Sequence, residues 1–231
     1  MTTFALVHGA WHGAWCWERL IPELAAHGHA AIAIDLPCDD VEAGCAAYAG
    51  AVVAETADAG DDLVLVGHSM GGLTIPLVAA LRPARKLVYL CALLPRPGAS
   101  LAQQVKEEPE MFVPGYSAGL ARDDQGRSYW QDEDAAAEVL YGGCPRQLAS
   151  WAVPRLRPQA RRPSDEPCPE RLPEVDAVSL IARDDAVVNA EWSRAAALDR
   201  LGAKAVELPG DHSPFLGRPG ELAEILLSVS L

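Results

Sequence analysis

With 231 residues, 50% of them hydrophobic and 22% charged, the chain can bury one sizeable core, and its length alone leaves one or two domains equally open. A net charge of −13, with 19 basic residues placed singly or in pairs, lacks the clustered positive footprint that phosphate backbones and anionic membranes require. Nucleic acid and membrane surfaces are therefore excluded as partners, and the acidity is read as solubility.

Cys16, Cys38, Cys45, Cys91, Cys144 and Cys168 form no C-x-x-C pair and no compact disulfide framework. They are expected to be reduced structural thiols of a cytoplasmic protein rather than metal ligands. Met1-Thr2-Thr3 runs straight into an apolar segment, with no basic leader or cleavage-like site, and no stretch approaches the length that spans a bilayer.

In chain order, short apolar runs bounded by turn residues alternate with segments of helical period, the signature of strand, crossover helix and strand in a parallel sheet. Strands are predicted at 4–8, 30–36, 63–67, 86–93, 177–182 and 205–208, and helices near 14–26, 40–58, 70–81, 190–201 and 219–229. The strands are continuously apolar, as expected when both faces of a sheet are covered. Asn189 should cap the helix that Gly202 closes, Pro219 should open the last one, and Pro76 should kink the helix after Ser69.

From about 95 to 173 the alternation stops and prolines accumulate, so this segment reads as a helical cap or lid inserted between core segments 1–94 and 174–231. It carries Met111, Phe112, Tyr116, Tyr129, Trp130, Tyr141 and Trp151, which either build its own small core or line a pocket.

The strand at 63–67 runs into Gly67-His68-Ser69-Met70-Gly71, a G-x-S-x-G turn between strand and helix that holds a serine out at the sheet's C-terminal edge. A serine hydroxyl needs an imidazole to take its proton and an acid to fix the imidazole's tautomer. Of His8, His12, His27, His29, His68 and His212, only His212 follows Ser69 in the required order, and it sits in a loop after a strand. His68 should diverge from its neighbour on the tight turn, and His12 is read as structural. For the acid, the strand at 177–182 leads into Asp184 and Asp185. Asp184 is preferred as the first to emerge, Asp185 being read as solvated or capping the turn.

Acyl transfer also needs donors for the developing oxyanion. These are expected from the backbone N–H of Met70 and, in the loop after the first strand, of Ala10, with Gly9 permitting the turn. The second half of "HGAWHGAW" would start the following helix, anchored by Trp15 and Trp17. Gly9, Trp130, Tyr141, Trp151 and Phe215 are the candidate substrate-binding residues.

The segments "LVHGAWHGAWCW" at 6–17, "LVGHSMGG" at 65–72, "YLCALLPRPG" at 89–98, "IARDDAV" at 181–187 and "GDHSPF" at 210–215 resemble the α/β-hydrolases of the branch that holds plant methylesterases, hydroxynitrile lyases and bacterial relatives. The resemblance covers nearly the whole chain. It implies an α/β-hydrolase fold, a mostly parallel sheet of about six strands flanked by helices, and it too favours Asp184. Lyases of that branch carry threonine where Gly9 stands and lysine where Ser213 stands, so the resemblance points to an esterase. The expected reaction is hydrolysis of small to medium apolar or aryl esters, methyl esters included, through an acyl-serine, with no cofactor and no metal. The expected partners are a small-molecule ester and at most a second copy of the chain. Lactone opening, acyl transfer, C–C cleavage, cyanohydrin cleavage and a low-turnover receptor are the alternatives.

Overall fold

The alternating apolar runs pair edge to edge because the backbone groups of the central, buried strands can be satisfied only through neighbouring strands. The computed structural model describes residues 1–202 and 205–230. Strand β1 (Thr3–Val7) is followed by a 3-10 turn (Ala14–Trp17) and α1 (Leu20–Ala26), and β2 (Ala30–Ile34) by α2 (Cys45–Glu55). After β3 (Leu63–His68) come a 3-10 turn (Ser69–Leu73), α3 (Ile75–Ala79) and β4 (Lys86–Leu90). The segment between β4 and β7 supplies α4 (Leu101–Glu107), a hairpin of β5 (Leu120–Arg122) and β6 (Ser128–Trp130), α5 (Glu133–Tyr141), α6 (Arg146–Ala152) and α7 (Arg162–Asp165). The chain ends with β7 (Ala177–Ala182), α8 (Ala190–Leu201), β8 (Val206–Leu208), α9 (Pro214–Gly217) and α10 (Pro219–Ser230).

Six strands lie in the order β2-β1-β3-β4-β7-β8, every pair parallel. Chain order reverses at β1, which has β2 on one side and β3 on the other. In open α/β sheets the crevice at such a reversal, outside the carboxyl ends of the strands, is where ligands bind. Val7 pairs with Gly67, so the loops leaving β1 and β3 start side by side at that point. Beneath them Phe4, Leu6, Trp17, Leu65 and Phe215 are fully buried.

The differences from the sequence reading are local and have causes. Pro76 lies in the first turn of α3. The predicted helix at 70–81 is therefore broken before the proline, which starts a new helix where its missing N–H costs nothing. Strand β4 stops at Leu90, because Cys91 takes a φ of +47° and turns the chain out of the ladder. The hairpin went unread because its strands are three residues each, too short for alternation to register. Helix α8 is capped by the Asn189 side chain, which accepts from the Glu191 N–H at 2.9 Å, and is closed by left-handed Gly202; α10 opens at Pro219.

Among the described residues no helix is long and apolar enough to cross a membrane.

Candidate active site

Ser69 sits at the abrupt junction of β3 and its 3-10 turn with φ +51°, a region that non-glycine residues enter only when their surroundings force it. Two neighbours make the turn possible. A Cβ on Gly67 would come within 2.7 Å of the Gly71 carbonyl oxygen, and one on Gly71 within 2.6 Å of the Val7 carbonyl oxygen. The Ser69 carbonyl accepts from the Leu93 N–H at 3.0 Å, tying the turn to the chain beyond β4. The Met70 N–H follows directly, in the first turn of a helical segment, where amides lack intrahelical acceptors.

His212 is brought to the same corner by a residue whose role was not read from the sequence. His68 is fully buried, and its Nε2–H donates to the His212 carbonyl at 2.9 Å while the two rings lie 4.7 Å apart. Burial, reinforced by the neighbouring histidines, holds the His68 imidazole well below its usual pKa and so neutral. Its place between Gly67 and Ser69 was the available signal.

The carboxylate behind His212 belongs to Asp185, which corrects the expectation of Asp184. His212 Nδ1–H donates to both Asp185 carboxylate oxygens at 3.0 Å, and both side chains are 2% exposed. Asp185 does cap its turn, accepting from the N–H groups of Val187 at 2.8 Å and Val188 at 3.0 Å. Those bonds swing the carboxylate inward and leave a second face for the imidazole. Asp184 gives its backbone N–H to the Gly210 carbonyl, and its side chain is exposed, within the field of Arg218.

A second aspartate holds the loop that carries His212. Asp211 is buried and accepts from the Ser213 N–H at 3.0 Å and from the Gly143 N–H at 2.9 Å, joining this loop to the insertion.

The repeated tetrapeptide resolves into two equivalent grips. His8 Nδ1–H donates to the Gly9 carbonyl at 2.8 Å, while its Nε2 accepts from the Leu36 N–H at 3.0 Å. His12 Nδ1–H donates to the Ala10 carbonyl at 2.8 Å, while its Nε2 accepts from the Tyr141 hydroxyl at 2.8 Å. In a trans peptide the C=O and N–H point in opposite directions, so gripping the Gly9 oxygen sets the aim of the Ala10 N–H. Gly9 itself abuts the serine, since a Cβ there would lie 2.6 Å from Ser69 Cβ.

Burial lowers the pKa of His8 to about 4 and that of His12 to about 3, from 6.5. Below about pH 6.5 the unfolded chain takes up protons that these two folded imidazoles refuse. Stability held above that pH should therefore drain away as the pH falls through about 4 and then 3. Urea unfolding between pH 7 and pH 3 checks this, and a midpoint that did not move would contradict it.

A cavity of about 130 Å³ opens over Ser69. Ala10, Trp11, Met70, Leu93 and Val187 line it from the sheet side, and Leu101, Phe112, Tyr116, Ser128, Gln159 and Ser164 from the insertion. Phe112 and Tyr116 stack at 4.5 Å. The expected binding residues fall elsewhere. Trp130 stands behind Trp11 at 5.5 Å, and Trp151 packs on Trp15 at 5.5 Å. Tyr141 is buried against His12, and Phe215 is fully buried beside His68 and Trp17. Gly9 borders the serine without lining the cavity. Large aromatics in contact with a core are drawn into it, and Phe112 and Tyr116, which join Trp11 in lining the cavity, were legible only as part of a longer set.

The sheet order, the strained serine turn at the reversal and the histidine–carboxylate pair define a hydrolase architecture. Residues 4–225 match the model of the alpha/beta hydrolase family, and the chain belongs to that family. It is 30% identical to "Probable esterase PIR7A" of Oryza sativa subsp. indica, over 98% of this chain and 96% of that one. It is 29% identical to the pyrethroid hydrolase of Sphingobium wenxiniae, over 98% of this chain and 86% of that one. Among solved structures, a polyneuridine aldehyde esterase variant superposes with a TM-score of 0.84 at 23% identity, covering 100% of this chain and 99% of that one, a likeness of fold.

Proposed function

We propose that the chain is a serine carboxylesterase acting on small, uncharged apolar or aryl esters, methyl esters included. Ser69 Oγ attacks the ester carbonyl as His212 Nε2 takes its proton, and Asp185 holds the Nδ1–H tautomer and stabilises the imidazolium. The N–H groups of Ala10 and Met70 receive the oxyanion. His212 then protonates the leaving alcohol and activates water to release the acid. The observation that carries this reading is the buried His212–Asp185 pair held by His68, the residue preceding a left-handed Ser69 that lines a mostly apolar cavity.

The cavity's size supports an acyl group no larger than one ring, since a void of about 150 Å³ holds benzene. Its lining carries no charged side chain, which supports neutral substrates. Segment 95–173, which supplies half of the lining, is read as the cap. Against cyanohydrin cleavage, Gly9 leaves no room for a hydroxyl-bearing side chain beside Ser69, and Ser213 has no charge to offer a departing cyanide. The free cysteines among the described residues support a reducing, cytoplasmic setting.

The test joins a substrate panel to active-site labelling. Methyl and aryl esters of benzoate-sized acids should turn over, and a fluorophosphonate should abolish that activity while adding one label to the peptide that contains Ser69. A label on any other residue, or no turnover of any neutral ester, would overturn the reading.

A further inference from the structure

Both peptide groups that flank Ala10 are gripped by histidines, and one of these histidines is held in turn by the insertion. A carbonyl can only accept, so the bond to Ala10 places the His12 proton on Nδ1 and leaves Nε2 to accept from the Tyr141 hydroxyl. Donors and acceptors then run in one direction, from Tyr141 in α5 through His12 to the Ala10 carbonyl, an order in which each bond polarises the next. Burial keeps the imidazole neutral and the phenol protonated. The residue after Ala10, Trp11, has a φ of +64°, a conformation that persists only where several contacts impose it. The insertion imposes it twice more, because the Arg157 N–H donates to the Trp11 carbonyl at 2.7 Å and Arg157 Nε–H donates to the His12 carbonyl at 3.2 Å.

We propose that His12 is a positioning residue for the oxyanion site, carrying the placement of the insertion from Tyr141 to the backbone around Ala10. The inference rests on the esterase reading above. With Tyr141 seated, His12 fixes the plane of the Ala10–Trp11 peptide, which adjoins the His8-held Gly9–Ala10 peptide that carries the Ala10 N–H and so limits its rotation. When the insertion shifts away from the sheet, the grip on Ala10 loosens and the donor loses its aim. The oxyanion site is thus complete only under a seated insertion.

Packing alone is the competing account of His12, whose ring stacks on Trp15 at 5.5 Å and meets His68 edge-on at 5.6 Å. Phenylalanine would keep those contacts and lose both hydrogen bonds. Asparagine, whose side-chain amide nitrogen overlays Nδ1, would keep the bond to Ala10 and lose the one to Tyr141. The experiment compares His12→Phe, His12→Asn and Tyr141→Phe with wild type, using kcat and KM on a short aryl ester. It also measures the affinity of benzeneboronic acid, which forms a tetrahedral adduct with the serine.

Loss of one oxyanion donor costs roughly 10²–10³-fold in kcat, so His12→Phe should lose about 100-fold and Tyr141→Phe about 10-fold. KM should stay within about three-fold, and boronate affinity should fall in step with kcat. His12→Asn should recover most of the loss seen in His12→Phe. A folded His12→Phe with wild-type kcat, or His12→Asn no better than His12→Phe, overturns the proposal. If His12→Phe does not fold, Tyr141→Phe decides, and an unchanged kcat there overturns it. A Ser69→Ala control separates the two ideas: if it is inactive the esterase reading stands whatever His12 does, and if it is fully active that reading itself has failed.

Discussion

Asp185→Asn is expected to lower kcat for a neutral ester about 10⁴-fold, the scale seen when a triad acid loses its charge but keeps its shape. Asp184→Asn should stay within about three-fold of wild type, because its side chain is exposed and makes no hydrogen bond to His212, while its backbone N–H, held by Gly210, is unchanged. The large loss has two sources. Asparagine can present its NH₂ group to Nδ1, which favours the tautomer with the proton on Nε2, where the base must be bare. It also offers no charge to the imidazolium formed during attack. The Val187 and Val188 amides can still be accepted by the asparagine oxygen, so the turn should survive and the melting temperature should change little. Steady-state kinetics on both variants checks the assignment, and a large loss in Asp184→Asn with none in Asp185→Asn would reverse it.

Ser69→Ala should reduce kcat by about 10⁶-fold, leaving only the catalysis that oxyanion donors and binding supply without a nucleophile. Alanine keeps the Cβ that packs against Gly9, so the strained turn and the cavity should persist. A substrate-like ester should therefore still bind, with a dissociation constant close to the wild-type KM. The fluorophosphonate label should be absent. Retained turnover in this variant would remove Ser69 from the reaction altogether.

The parallel sheet was legible because its strands are apolar on both faces and read as unbroken runs. The reversal at β1 could be located as soon as those runs were paired. Ser69 and His212 could be picked out because a strand–turn–helix pentapeptide and a loop histidine after a later strand are local patterns. The choice between Asp184 and Asp185 was not local. Adjacent side chains leave a chain on different sides, and here the side was decided by a carboxylate capping two downstream amides and by the Gly210 carbonyl taking the Asp184 N–H. Capping had been read as a reason to demote Asp185, and it is what holds that residue in place. Aromatic content likewise has no direction in a sequence. Trp130, Tyr141 and Phe215 are buried, Trp151 is half-buried against Trp15, and Phe112 and Tyr116 face the cavity, as a result of how segment 95–173 packs on the sheet. The doubled "HGAW" marked the loop that matters, but two carbonyls locked by two neutral imidazoles could be seen only in three dimensions.

Anyone grafting a foreign insertion onto this sheet to change its specificity inherits a constraint from the Gly143–Asp211 bond. Gly143 gives its N–H to Asp211, and a Cβ at 143 would stand 3.3 Å from that carboxylate. A chimera that omits a slender, N–H-bearing residue there would leave the buried Asp211 side chain short of a donor one position from His212. Such a graft would lose turnover on every substrate alike, and reshaping the cavity further would not recover it.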